Sequence, residues 1–135
     1  MNIYALQTAR KGSESVIEKN RYDVKGRPLY IYNVWAANQT PEIKKTYIST
    51  DDEMIQRSPY AKDYEIIERP SHLCGSAASH HEVILQGLLE IESREDEFCD
   101  ILVVLLGNSM GATHEELTHA IEILKADETL DSVQS

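Results

Sequence analysis

At 135 residues, 41% of them hydrophobic, the chain is sized for one domain and has the apolar content to bury a core. A formal charge of −10 without any basic stripe excludes nucleic acid and anionic membrane surfaces as partners. It leaves room for a small anionic ligand held by local Arg and Lys residues, since a distant negative background is screened over roughly 10 Å.

Asn2-Ile3-Tyr4-Ala5-Leu6-Gln7 is a short, mostly apolar run that predicts a buried strand, followed by a polar loop from Ala9 to Ser15. Asp23 to Pro28 is turn chemistry, and Pro28 suits the first turn of a helix. Ile31, Val34, Trp35 and Asn38 recur at helical spacing, which predicts an amphipathic helix ending near Thr40-Pro41 with Trp35 in the core. Lys45 to Ser49 reads as a second strand. Thr50-Asp51-Asp52-Glu53 places capping and acidic residues at the start of a short helix that carries Met54 and Ile55 and stops by Pro59.

Tyr64 to Glu68 reads as a third strand running into Arg69-Pro70, and Ser71 to Ser79 as a loop. From His80 to Arg94 the apolar positions Ile84, Leu85, Leu88, Leu89 and Ile91 predict a buried helical face. The acid-rich stretch from Glu90 to Asp100 reads as a solvated helix end and loop. Ile101 to Leu106 is an unbroken apolar run of the kind expected of a central parallel strand covered on both faces. Thr113 to Glu116 is a capping-box start, with Leu117, Ala120, Ile121 and Leu124 following at helical spacing, and Asp131-Ser132-Val133 opens one more strand. The five histidines read as surface or capping groups, and neither Ser79 nor Ser109 has the His/Asp pattern of a nucleophile.

Strands alternating with helices imply a three-layer α/β domain over residues 1–135, with a mostly parallel sheet between helices. Ligands in such sheets bind at the carboxyl ends of the strands, here the loops after Thr8, Ser49, Glu68 and Leu106. The first of these loops combines small residues, Gly12, Ser13 and Ser15, with the cations Arg10, Lys11 and Lys19. Backbone N–H groups that can approach closely, with positive charge beside them, suit a phosphate. No apolar run approaches the ~20 residues of a membrane span, and no basic and apolar leader opens the chain. Cys74 and Cys99 lack ligand spacing, so a soluble cytoplasmic protein with reduced thiols is expected.

Ala9-Arg10, Ser13, Lys19-Asn20 and Lys25-Gly26-Arg27-Pro28-Leu29 together resemble the signature loop of the acylneuraminate cytidylyltransferases, the CMP-sugar synthetases. Ile48 to Glu53 is similar to that family's STDDE segment, and Glu68-Arg69-Pro70, Leu73 and Ala77-Ala78-Ser79 to its RP and TASS region. The likeness continues through Val103 to Asn108, Glu115-Glu116-Leu117 and Asp131-Ser132-Val133, in the family's order.

The resemblance implies a Rossmann-like nucleotidyltransferase fold, truncated at the C-terminus relative to the family. It implies transfer of CMP from CTP to an acidic sugar with release of pyrophosphate, assisted by Mg²⁺ whose ligands are expected beyond Ser135. Arg10 and Lys19 are then the catalytic cations at the triphosphate. Ala9, Ser13 and Asn20 shape the nucleotide pocket, Arg69 adds a phosphate or nucleotide contact, Ala78 lines the base or ribose, and Asn108 is the candidate base reader. Glu14-Ser15 stands where the family has Lys-Gly, Ser76 where it often has Asp, and Gly107-Asn108 where many members have Gln-Pro. A carboxylate beside a triphosphate opposes binding. A non-catalytic nucleotide-binding or regulatory module, and a transferase for another base such as GTP, therefore stay open. An exposed sheet edge or apolar patch would favour a homodimer.

Overall fold

The computed structural model describes residues 1–9, 23–24, 27–73, 79–106 and 113–127. The chain runs through β1 (Ile3–Ala9), the two-residue strands β2 (Asp23–Val24) and β3 (Arg27–Pro28), α1 (Leu29–Asn38), β4 (Lys45–Thr50) and α2 (Glu53–Gln56). It continues through β5 (Glu65–Glu68), α3 (His80–Glu95), β6 (Ile101–Leu106) and α4 (His114–Ala126), with 3₁₀ turns at Ala61–Asp63 and Ser71–Leu73. β2 and β3 pair antiparallel, so Asp23, Val24, Arg27 and Pro28 of the stretch read as turn chemistry are strand; Lys25 and Gly26 lie outside the described residues, and Pro28 stands one residue before α1.

The other four strands form one parallel sheet in the order β5-β4-β1-β6. Successive side chains of a strand point to opposite faces. Ile3 and Ala5 of β1 accordingly join Ala36, Ala37, Leu105, Leu117 and Ile121 in a cluster under α1 and α4. Tyr4 and Leu6 join Tyr47, Ile67 and Ile91 under α3. Helices thus cover both faces, which confirms the three-layer α/β architecture. β1 is buried on both faces and flanked on both edges. Among the described strands β1 and β4 are both interior, while β6 lies at an edge with Val104 37% exposed. The expectation of a central strand covered on both faces is thus corrected: of the described β6 side chains only Leu105 is buried, because the apolar run lies at the edge of the four-stranded sheet.

Helix α3 also sits differently from its apolar pattern. Its buried residues are Val83, Gly87 and Ile91, while Leu85 and Leu89 are 46% and 58% exposed. Gly87 is the reason. A Cβ there would stand 2.6 Å from a Leu6 methyl carbon, so the glycine is what lets the helix close onto β1. That contact fixes the rotation of the helix and turns the neighbouring leucines outward. Helix α1 is likewise less one-sided than its spacing suggests, with Tyr30, Ile31, Asn33, Val34, Ala36 and Ala37 all buried. Trp35 sits at the margin of its cluster rather than in the core, half-buried and edge-on to Tyr32 and Tyr60, with its indole N–H donated to Asp63 at 3.1 Å.

The acidic stretch after α3 is structural rather than merely solvated. Tyr4 and Tyr47 bury their rings under α3 and need acceptors for their hydroxyls. Tyr4 donates to Glu97 at 2.7 Å and Tyr47 to Glu95 at 2.5 Å. Lys44 and Lys45 pair with the same two carboxylates at 3.0 and 2.9 Å. Asp96 between them adopts the left-handed conformation at φ 54° and caps the helix, which turns the chain so that both glutamates face the sheet. No described helix is long and apolar enough to cross a membrane.

The Lys45 ammonium and then the Tyr47 hydroxyl hold the Glu95 carboxyl below its usual range. A carboxylate depressed in the fold stabilises it above the unfolded pKa of about 4.3, and that contribution is lost as pH falls through the folded value. Glu95→Gln is expected to cost about 1 kcal/mol at pH 7. It also flattens the acid limb of the stability profile below about pH 4, as read by urea unfolding across pH.

Candidate nucleotide site

The chain steps from β1 outward to β4 and β5, then returns over the sheet through α3 and lands as β6 on the far side of β1. The strand order therefore reverses beside β1. The crevice at the carboxyl ends of β1 and β6 is the place where open α/β sheets of this kind bind nucleotides.

Thr50, the last residue of β4, builds one wall of that edge. Its buried hydroxyl donates to the Ala9 carbonyl at 2.5 Å and accepts from the Asp52 N–H at 3.0 Å. The ends of β1 and β4 are thereby tied together where the loop after Ala9 begins. The Asp52 carboxylate, almost wholly buried, accepts from the Met54 N–H at 3.0 Å as the N-cap of α2, which is the capping role read for it. Gln56 closes the turn by donating to the Thr50 carbonyl at 3.2 Å.

A second set of bonds braces the floor from the α1 side. The buried Gln7 amide donates to the Tyr30 carbonyl in the first turn of α1 at 3.1 Å. The Tyr30 hydroxyl meets that of Tyr64 at 3.2 Å, and Tyr64 donates to the Ile55 carbonyl at 2.6 Å. Burial first, and the Tyr30 contact second, push the Tyr64 phenol well above its usual range, so it stays a neutral donor.

On the α3 side, register places Thr8 opposite Ser49 of β4 and Leu106 of β6. Arg69, just past β5, donates through Nη2 to the Ser49 carbonyl at 3.1 Å, which holds a guanidinium at the carboxyl edge. His80, the first residue of α3, sets its Nε2 3.2 Å from the Thr8 hydroxyl. The helix before it is capped by Ser79, whose hydroxyl accepts from the Glu82 N–H at 3.3 Å.

Of the residues singled out from sequence, Ala9 and Arg69 stand at this edge, Ala9 buried at the end of β1. Arg10, Ser13, Lys19, Asn20, Ala78 and Asn108 lie outside the described residues, as does Cys74. His80 was read as a surface or capping histidine, and it is exposed, yet it reaches β1. The cue in the sequence was its place directly after a helix cap on a segment entering the carboxyl side of the sheet. Among the described residues no group of three or more His, Cys, Asp or Glu side chains is arranged to hold a metal ion. Asp52 is committed to its helix cap. Cys99 lies at the opposite end of the sheet, half-buried, its thiol pushed up by burial and donated to the Ile101 carbonyl at 3.1 Å.

The parallel sheet between helix layers is an α/β fold of the Rossmann-like nucleotidyltransferase type. The sequence model of the cytidylyltransferases matches residues 5–84, and the chain belongs to that family. It is 31% identical over 132 residues to an N-acylneuraminate cytidylyltransferase of Escherichia coli O18:K1:H7, covering 98% of this chain and 30% of the relative. It is 27% identical over 136 residues to a Helicobacter pylori protein named as pseudaminic acid cytidylyltransferase and UDP-2,4-diacetamido-2,4,6-trideoxy-beta-L-altropyranose hydrolase, covering 98% of this chain and 25% of that one. The chain thus spans about a third or less of the length of these relatives.

Two solved structures share the fold. A CMP:2-keto-3-deoxy-manno-octonic acid synthetase complexed with CTP superposes with a TM-score of 0.80 at 18% identity, over 96% of this chain and 50% of that one. A cytidylyltransferase from Leptospira borgpetersenii gives 0.69 at 14% identity, over 95% and 50%.

The Thr50 hydroxyl adds a side-chain bond to the Ala9 carbonyl at the carboxyl ends of β4 and β1. Thr50→Val keeps the shape and leaves the Ala9 carbonyl and the Asp52 N–H unsatisfied, so unfolding in urea is expected to show a loss of about 1–3 kcal/mol.

Proposed function

We propose that the protein activates an acidic sugar by transferring CMP to it from CTP. In that reaction the sugar's anomeric oxygen attacks the α-phosphorus, the bond from that phosphorus to the bridging oxygen breaks, pyrophosphate leaves, and the sugar hydroxyl gives up its proton. Membership of the cytidylyltransferases supports the nucleotide. The sugars named for the relatives, an acylneuraminate, pseudaminic acid and a keto-deoxy-octonic acid, are all acids, which supports the second substrate.

The observation that carries the reading is Arg69, held against the Ser49 carbonyl at the carboxyl edge of a parallel sheet. Phosphoryl-type transfer is mainly positioning plus neutralisation of developing charge, and a planar guanidinium can give two parallel bonds to phosphate oxygens. In this reading Arg10 and Lys19 supply the further cations, Ala9, Ser13, Asn20 and Ala78 line the nucleotide, and Asn108 reads the base. Mg²⁺ would supply further neutralisation of the triphosphate; among the described residues no group of three or more His, Cys, Asp or Glu side chains is arranged to hold it.

One sequence feature favours a second reading, a nucleotide-binding module without catalysis: Glu14 places a carboxylate in the loop where the family carries a lysine.

Calorimetric titration with CTP, GTP, UTP and ATP, each with and without Mg²⁺, tests the proposal. CTP is expected to bind in preference to the other three, and Arg69→Ala to weaken it by about tenfold, the loss of one charge-assisted contact. A preference for GTP would replace the proposed nucleotide. Selective CTP binding with no pyrophosphate release when an acidic sugar is added would favour the module.

A further inference from the structure

We propose that His80 is a ligand-contacting residue of the nucleotide pocket, its imidazole held by Thr8 through Nε2 so that Nδ1 presents an N–H to a phosphate oxygen of the nucleotide. This rests on the CTP reading above and extends it to a residue that the family motifs did not single out.

Thr8 lies at the centre of this arrangement. As the penultimate residue of β1, with Ser49 on one side and Leu106 on the other, it stands at the middle of the carboxyl edge where the strand order reverses. Alternation along β1 puts its side chain on the face of Tyr4 and Leu6, the face covered by α3. His80 opens α3 and brings Nε2 to 3.2 Å from the Thr8 hydroxyl. A neutral imidazole has one donor and one acceptor nitrogen, and its partner selects which is which. When the Thr8 hydroxyl donates to Nε2, the ring proton sits on Nδ1. Among the described residues Nδ1 has no hydrogen-bond partner.

Two further observations point the same way. Helix α3 is 16 residues long, and its N-terminal end, with the positive pole of its dipole, lies at this edge beside Thr8. Ser49, Thr8's neighbour in register, is fully buried, and its hydroxyl has no hydrogen-bond partner among the described residues. An orphan hydroxyl on a buried edge is costly unless something pairs with it. A tethered imidazole, a helix start and an unpaired hydroxyl therefore share one face of the crevice, and an oxyanion is the ligand class that all three can serve.

The test compares CTP with cytidine, which lacks phosphates, in calorimetric titrations of the purified protein carrying His80→Ala, His80→Asn or His80→Gln. Asn places its amide nitrogen near the position of Nδ1, and Gln near that of Nε2. His80→Ala is expected to weaken CTP about tenfold and leave cytidine unchanged, as for one hydrogen bond to a charged group. His80→Asn is expected to restore most of the loss and His80→Gln none of it, with the thermal midpoint of each variant near that of the parent because His80 is exposed. The inference is overturned if His80→Ala binds CTP like the parent, if it weakens CTP and cytidine equally, or if Gln rescues where Asn does not. Failure of the parent itself to bind CTP overturns the CTP reading and this inference together.

Discussion

β1 has a parallel neighbour on each edge and a helix layer on each face, so seven residues have to satisfy four sets of contacts at once. Its alternation does this without a charged residue: Ile3 and Ala5 fit under α1 and α4, Tyr4 and Leu6 under α3, and Gln7 is the one large buried polar side chain. The rest of the described structure follows from that strand. Leu6 requires a glycine at position 87, which sets the rotation of α3. The hydroxyl of Tyr4 requires Glu97, which sets the path of the chain leaving α3.

The two ends of the sheet are finished in opposite ways. At the amino end, tyrosine hydroxyls, lysines and the Glu95 and Glu97 carboxylates neutralise one another and close the edge. At the carboxyl end the polar groups are aimed at the backbone and at the crevice. Thr50 fixes the Ala9 carbonyl, Arg69 leans on the Ser49 carbonyl, and His80 leans on Thr8. That asymmetry is what a parallel sheet with a switch in strand order offers a ligand: a rigid, closed base and an edge of donors.

Much of this was legible in the sequence. Short apolar runs at residues 3–7, 45–49 and 101–106 marked strands, and Thr50-Asp52 and Thr113 marked helix starts, because both signals are local. What could not be read was set by distant partners. The apolar run of β6 says nothing about which strands it joins, so its edge position needed the crossover through α3. The leucines of α3 look like a buried face until Leu6 meets Gly87. Glu97 finds Tyr4 across 93 positions, and His80 finds Thr8 across 72, so neither role follows from composition. Of the candidate site, Ala9 and Arg69 came from motif likeness and stand at the expected edge. The other six residues named there fall outside the described residues.

CTP is proposed to bind at the carboxyl edge of the sheet, between β1 and the start of α3. Amide hydrogen exchange with and without saturating CTP tests it most directly, because it reports position along the chain. Slowed exchange is expected at the carboxyl ends of β1 and β4 and in the first turn of α3, with no change around Asn2, Lys44 and Glu97. Slowing confined to the amino edge, or none anywhere in the presence of CTP, would contradict it.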